Sequence, residues 1–189
     1  ARNSAPRNVA GDIGRLFGEA IAKKQDQDLI ALFDGFSTAV GDGTTAINTA
    51  SIFNALSTLR GNALNINECA VVLHPKIAYD LKANLTNTFA NANANDLSNE
   101  ALRSGFVGTL AGMRIFETSN MSNTGTTGDY KGGAFHRDAI ALAEMQGLKI
   151  ETQRDASLRA DEIVATAVYG VGEIHDTYGV ELHHDSSIQ

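Results

Sequence analysis

Gly41-Asp42-Gly43-Thr44-Thr45 sets a glycine turn ahead of a run that reads as helix. Such a turn offers free amides, a carboxylate and hydroxyls to a bound phosphate or nucleotide. Near the other end, His175, His183 and His184 share a short stretch with Asp176, Glu181 and Asp185, all residue types that ligate metals. Cys69 supplies the chain's one thiol. Arg154, Asp155, Arg159 and Asp161 crowd two positive and two negative groups into eight residues. Balanced charges at that density suit a contact repeated around a symmetry axis, where each positive group meets a neighbour's negative group.

Each chemical reading competes with a plainer one. The Gly41–Thr45 turn resembles the phosphate-binding turn of chaperonins, yet Gly, Asp and Thr are also what a tight turn followed by a helix cap requires. Nothing else in the chain resembles a chaperonin. His136-Arg137-Asp138 matches the first three letters of the kinase catalytic loop, but the asparagine of that motif falls on Ala143. No glycine-rich loop or Asp-Phe-Gly accompanies it, and Asp138 instead reads as the start of a short helix, Ala139–Glu144. The C-terminal histidines match no recognised ligand spacing. Cys69 sits inside Ala70-Val71-Val72-Leu73 with no base beside it, so it reads as a small buried hydrophobe. Being alone it forms no internal disulfide, which points to a reducing origin. The carboxylates include no pair with a matching nucleophile or oxyanion donor. The sequence therefore nominates no catalytic residue, no cofactor and no metal site. The charged cluster remains.

The elements that must hold that cluster are legible. Leu148, Ile150 and Thr152 alternate with Lys149, Glu151 and Gln153, the pattern of a half-buried strand. Ile163 to Val171 runs back nearly uncharged. Together they predict a long two-stranded arm with Arg154, Asp155, Arg159 and Asp161 at its tip. Upstream, Val9, Ile13, Leu16, Phe17, Ala20 and Ile21 recur at three-and-four spacing and predict one long helix over Asn8–Phe33, roughly 40 Å at ~1.5 Å per residue. Asn3, Ser4 and Pro6 supply start signals, with Asp12 an alternative start. Lys23–Asp28 interrupts the stripe, as for a helix crossing two environments. Gly11, Gly14 and Gly18 weaken the helix but allow close packing on one side.

Between helix and arm, Gly35–Gly43 reads as a turn region, with Thr44 or Thr45 capping a second helix that runs to Leu59. Ile52, Leu56 and Leu59 form its inner face. Cys69–Leu73 reads as a short buried strand, ended by His74-Pro75, which open a third helix reaching about Asn84. His74 reads as a cap rather than a ligand. Thr86–Asn99 is asparagine-rich and reads as a loop. Phe106–Met121 reads as short β segments, strongest at Met113–Thr118. Ser122–Asp129 reads as a surface loop and Val180–Leu182 as a last strand. A long helix, a mixed middle and a long hairpin make an α+β pattern.

A chain of 189 residues, 43% hydrophobic and 20% charged, is long enough to bury a sizeable core. No apolar run approaches the ~20 residues that span a bilayer, and ARNSAPRN lacks the apolar core of a secretory signal. A formal charge of −7 argues against tight nucleic-acid binding over the whole surface, and fits a wall that encloses nucleic acid without gripping it.

From Asn8 onward the order of parts resembles the major capsid proteins of tailed bacteriophages, the Hong Kong 97-type shell fold. GDIGRLFGEAIAKKQDQDLIALFDGF is similar to that family's spine helix, and CAVVLHPKIAYDLKAN to the strand and helix of its axial domain. FVGTLAGMRIFETSNM resembles its Gly-x-Leu-x-Gly strand segment. GGAFHRDAIALAEMQGLKIETQRDASLRADEIVATAVYGVG resembles the region of the long hairpin in its peripheral domain. The resemblance implies a spine helix over 1–40, a mainly axial domain over 41–133, helix and peripheral hairpin over 134–175, and a return strand and tail over 176–189. It also implies a non-enzymatic, structural subunit. Copies would pack with one another as pentamers and hexamers of an icosahedral head enclosing double-stranded DNA. Portal, scaffold and decoration proteins would be its further partners, with assembly in the host bacterial cytoplasm and the virion as its destination. Arg154, Asp155, Arg159 and Asp161 would lie at three-fold junctions, and the Thr86–Asn99 loop in or near the axial domain. In the family an N-terminal arm and an extended loop precede the spine helix, whereas this chain begins almost at the helix, so no cross-linking residue is nominated. An encapsulin-like compartment shell is the alternative, and a nucleotide-binding protein using Gly41–Thr45 a more distant one.

Overall fold

A computed structural model of the chain describes residues 9–89, 109–123, 128–157 and 159–188. The apolar stripe near the start forms helix α1, Val9–Ala31, which tightens into one further helical turn at Leu32–Gly35. Ile13, Phe17 and Ile21 are half-buried, and burial becomes complete only at Ile30, Phe33 and Phe36. The expected change of environment along this helix is therefore present. Its lower end is in the core and its upper part is not. Phe33 packs on Phe135 with ring centres 5.0 Å apart, and Phe33 and Phe36 occupy the space that a Cβ would need at Gly133 and Gly179.

Helix α2, Thr49–Gly61, is capped by Asn48, whose side chain accepts from the Ser51 amide at 2.9 Å. The cap expected at Thr44 or Thr45 lies elsewhere, because Thr44 donates through its amide and hydroxyl to Asp42 in the preceding turn. Helix α3, Pro75–Phe89, runs past the expected end at Asn84, so residues 86–89 of the anticipated loop are helical. The rest of that loop, 90–99, lies outside the described residues. His74 caps this helix as expected: its carbonyl accepts from the Ala78 amide, and its Nδ1 accepts from the Lys76 amide at 3.3 Å.

Six strands form one mixed sheet in the order β1-β8-β5-β2-β4-β3. They are β1 Ala39–Val40, β2 Cys69–Leu73, β3 Thr109–Leu110, β4 Met113–Glu117, β5 Tyr130–His136 and β8 Gly179–His184. The pairs β1–β8 and β2–β4 are parallel, and the others antiparallel. Val71, Leu73, Met113, Ala134, Val180 and Leu182 line its buried side. Ile52, Ala55, Leu56 and Leu59 of α2 and Ile77, Ala78 and Leu81 of α3 join them in one continuous cluster. Each fully buried Ile or Leu there contributes on the order of 1.5–3 kcal/mol relative to exposure. Two strands escaped sequence reasoning. β1 hides in the Gly35–Gly43 turn region because it has only two residues, and β5 looks punctuated because Gly132 and Gly133 interrupt it.

The second sheet is the arm. β6, Ile140–Asp155, pairs antiparallel with β7, Ala160–Glu173. The short helix expected over Ala139–Glu144 does not form, since Ile140–Glu144 already pairs with Tyr169–Glu173. Ala, Leu, Glu and Met are strong helix formers, so local preference pointed the wrong way, and cross-strand pairing overrode it. Asp138 consequently caps no helix. It lies in the turn before β6, with its amide on His136 Nδ1 at 3.3 Å.

Candidate assembly surface

The arm carries one face toward α1 and one away from it. Ile163, Ala165, Ala167, Tyr169 and Val171 are half-buried, whereas Glu162, Val164, Thr166 and Val168 between them are exposed. On β6, Leu148 and Ile150 point at α1. A Cβ built on Gly18 or Gly14 would lie 3.9 Å from their side chains. The glycines of the helix thus bring the arm close, as their spacing suggested. Coverage is thin, though: Leu148 and Ile150 stay 41% and 44% exposed. At the lower arm, Tyr169 donates its hydroxyl to Asp28 at 2.7 Å, and Lys24 binds the same carboxylate at 2.6 Å. The hydrogen bond from Lys24, then that from Tyr169, holds the Asp28 carboxyl below its ordinary range. The bond to Asp28 likewise pushes the Tyr169 phenol up. Sequence reasoning missed this tie, for nothing in the alternation of β7 marks Tyr169 as facing an acid 141 residues away.

The apolar residues on the far face were visible in the sequence and passed over. Val164 and Val168 alternate with the half-buried residues of β7, yet they are 43% and 47% exposed. Met145 is 89% exposed, in the first of two irregularities in the pairing of β6, at Glu144/Gln146 and Gln146/Lys149. Each sets one extra residue into β6, a β-bulge that bends and twists the ribbon.

At the tip two of the four charges, Arg154 and Asp161, meet each other. Arg154 Nη1 lies 3.3 Å from Asp161 Oδ1 across the hairpin, an exposed pair between directly opposed residues. Asp155 accepts from the amide and hydroxyl of Ser157 and so shapes the turn. Arg159 is exposed and has φ of +51°, a left-handed conformation that costs a non-glycine residue about 1–2 kcal/mol.

The other candidates disperse. Gly41 and Gly43 have φ of +95° and +71°, and the turn they make wraps His184 and His183 rather than presenting free amides. The Gly43 amide donates to the His183 carbonyl at 3.1 Å. His183 Nε2 lies 2.7 Å from Asp129 Oδ1. Asp129 and Gly128 are buried, which corrects the reading of Ser122–Asp129 as wholly surface loop; residues 124–127 lie outside the described part. His175 packs on Tyr178, Asp176 on Ser37, and Glu181 meets Lys131, so the C-terminal group does not converge. Among the described residues no three His, Cys, Asp or Glu side chains are placed to hold a metal. Arg137 turns to Glu68 at 3.0 Å, beside the buried His136. Cys69 is buried in β2, where burial and then Glu68 push its thiol up. Among the described residues no helix is long and apolar enough to cross a membrane.

Three comparisons bear on this geometry. The family described as phage capsid protein matches residues 1–180. No curated protein sequence matches the chain. Among solved structures, a chain from Mycobacterium phage Che8 is similar at 28% identity and a TM-score of 0.73, over 90% of this chain. This chain spans 61% of that one's length. The capsid of cyanophage P-SCSP1u is similar at 16% identity and a TM-score of 0.75, over 98% of this chain and 69% of that one. The SrpI encapsulin of Synechococcus elongatus PCC 7942 is similar at 15% identity and 0.70, again over 98% and 69%. The last two, at such identities, are likenesses of fold alone.

Proposed function

The chain belongs to the phage capsid protein family, and from that premise we propose that it is the shell-forming part of a major capsid protein. Its fold is the α+β, Hong Kong 97-type fold, and family and fold together make its role structural rather than enzymatic and its place the virion capsid. In the finer reading, copies pack as pentamers and hexamers of an icosahedral head around double-stranded DNA, assembled in the bacterial cytoplasm. Portal, scaffold and decoration proteins are its further partners. Residues 1–40 serve as spine, 41–133 mainly as axial domain, 134–175 as the peripheral region, and 176–189 return to the sheet. β8 lying between β1 and β5 supports that return, although β5 itself crosses the 133/134 boundary.

One observation carries the assembly role: an arm of two long strands stands outside the core, ending in paired charges. An isolated two-stranded ribbon is marginal in water, so a thinly covered arm with an apolar outer face suits burial against neighbouring copies. Many modest symmetric contacts then suffice for a stable shell. Arg154, Asp155, Arg159 and Asp161 meet neighbours at three-fold junctions in this reading. Because Arg154 already has Asp161 within its own hairpin, Arg159 is the cleaner probe. Reversing Arg154 or Arg159 to Glu weakens shells without unfolding the subunit, measured as particle yield by negative-stain microscopy beside a denaturant titration. Normal yield from both variants would refute the contact. The encapsulin alternative has only a likeness of fold behind it, against a family match over 180 residues.

A further inference from the structure

We propose that the turn at residues 41–47 and the end of β8 form an acid-released latch keyed by His184. The histidine is 2% exposed. Its Nδ1 lies 3.2 Å from the Thr45 carbonyl oxygen, which can only accept, so Nδ1 carries the proton and the neutral ring keeps its lone pair on Nε2. Nε2 is buried without a hydrogen-bond partner among the described residues. A second proton there would be a buried charge with no acceptor, far costlier than the unpaired lone pair.

The backbone is moulded to this ring. A Cβ at Gly41 would come within 2.7 Å of the His184 imidazole, and one at Gly43 within 2.6 Å of the His183 imidazole. Around them the Gly43 amide donates to His183, the Asp185 amide to Thr45 at 3.1 Å, and the Glu181 amide to Thr38 at 2.8 Å. These bonds, with the β1–β8 pairing and the Ala46–Asp185 bridge, hold the 38–46 segment on β8.

The charged groups facing the latch come from each neighbouring element. Asp42 lies on the turn, His183 and Asp185 on the C-terminal segment, and Asp129 just before β5, against His183. Beyond them, Asp80 of α3 accepts from the Ser187 amide. Burial, the largest influence, and neighbouring His183 hold the His184 imidazole below its ordinary 6.5, while the Thr45 bond and the Asp42 charge oppose the shift only in part. Asp129 Oδ1 lies 2.7 Å from His183 Nε2, whereas among the described residues His184 Nε2 has no hydrogen-bond partner.

In the open turn the ring regains its ordinary affinity for protons. The latch is therefore fully held above about pH 6.5. Below it the open state binds a proton that the closed state refuses, and closure weakens up to about tenfold per pH unit until the lowered value is reached. This is a property of the subunit and stands whether or not copies assemble.

Amide hydrogen exchange by NMR, corrected for intrinsic rates, tests it on the chain from about pH 7.5 to about 5. Protection at Gly43, Glu181 and Asp185 should fall up to about tenfold per unit below 6.5, with Leu56 and Leu59 of the core unchanged. His184→Gln should flatten that dependence, and His183→Gln should keep most of it, because burial is the larger influence on His184. A flat profile in the parent chain, a dependence that survives His184→Gln, or equal loss in the core overturns the latch. Should His184→Gln not fold, the imidazole titration of the parent decides: a His184 midpoint below 6.5 that tracks the exchange supports it, and one at or above 6.5 overturns it.

Discussion

β2 and β7 are both built from small and β-branched residues, yet one is locked and the other merely leans. In β2, Cys69, Val71 and Leu73 are buried to 2% or less, and strands β4 and β5 pair with it on both sides. In β7 the side facing α1 is only half-buried, the other side is exposed, and β6 is its single partner strand among the described residues. The sheet is held by apolar burial within the subunit. The arm is held by one ladder of hydrogen bonds, a thin apolar contact with Gly14 and Gly18, and the tie between Tyr169 and Asp28. Similar composition therefore serves two purposes, and what distinguishes them is how many sides of each strand are covered.

Substitution of apolar residues gives the largest expected contrast. Ile52→Ala, at a position 0% exposed, should cost about 2–5 kcal/mol in denaturant unfolding. Val168→Asp on the arm's outer face should change subunit stability by no more than about 0.5–1 kcal/mol but lower particle yield. Equal destabilisation by the two would erase the distinction between core and arm. A smaller effect tests the tip. Arg159→Gly should stabilise the hairpin by up to about 1 kcal/mol, since glycine adopts a φ of +51° without strain, while reducing assembly. Stability unchanged and assembly intact would mean that Arg159 is neither strained nor used. The smallest effect lies at the base of the arm. Tyr169→Phe should leave global unfolding nearly unchanged and move the Asp28 midpoint, followed by NMR, up toward 3.8, because one of its hydrogen-bond donors is gone. The Asp28 interaction is lost as pH falls through that depressed value, so acid should loosen the base of the arm before the core.

Much of this contrast could be read from residue order. The first part of the spine stripe, the inner face of α2 and the distal arm followed from periodicity, and the strand at Cys69–Leu73 from a short apolar run ended by His74-Pro75. The failures have equally local causes. Ala139–Glu144 read as helix because its residues favour helix, and the two bulges that follow break the alternation that would have marked a strand. Tyr130–His136 was obscured by two glycines, Gly132 making room for Val72 and Leu73 and Gly133 for Phe33, needs that no local pattern expresses. The Gly41–Thr45 turn reads as a tight turn, but its partner, the paired histidines some 140 residues later, was beyond any local reading. Long-range pairings such as Asp28 with Tyr169 leave no mark on spacing.

The two bulges of β6 also constrain how this arm can change length. Each adds one residue, and together they keep Leu142 and Ile150 in phase on the side of the ribbon that faces α1. Removing the bulge residue Met145 would restore regular pairing, whereas removing one residue from the regular stretch beyond, Glu151 for instance, would turn one end of the strand inside out relative to the other, because side chains alternate with a period of two. Removing or adding two would not. Single-residue changes along this strand should thus be accepted at the bulges around Met145, and in the regular stretches only in even steps.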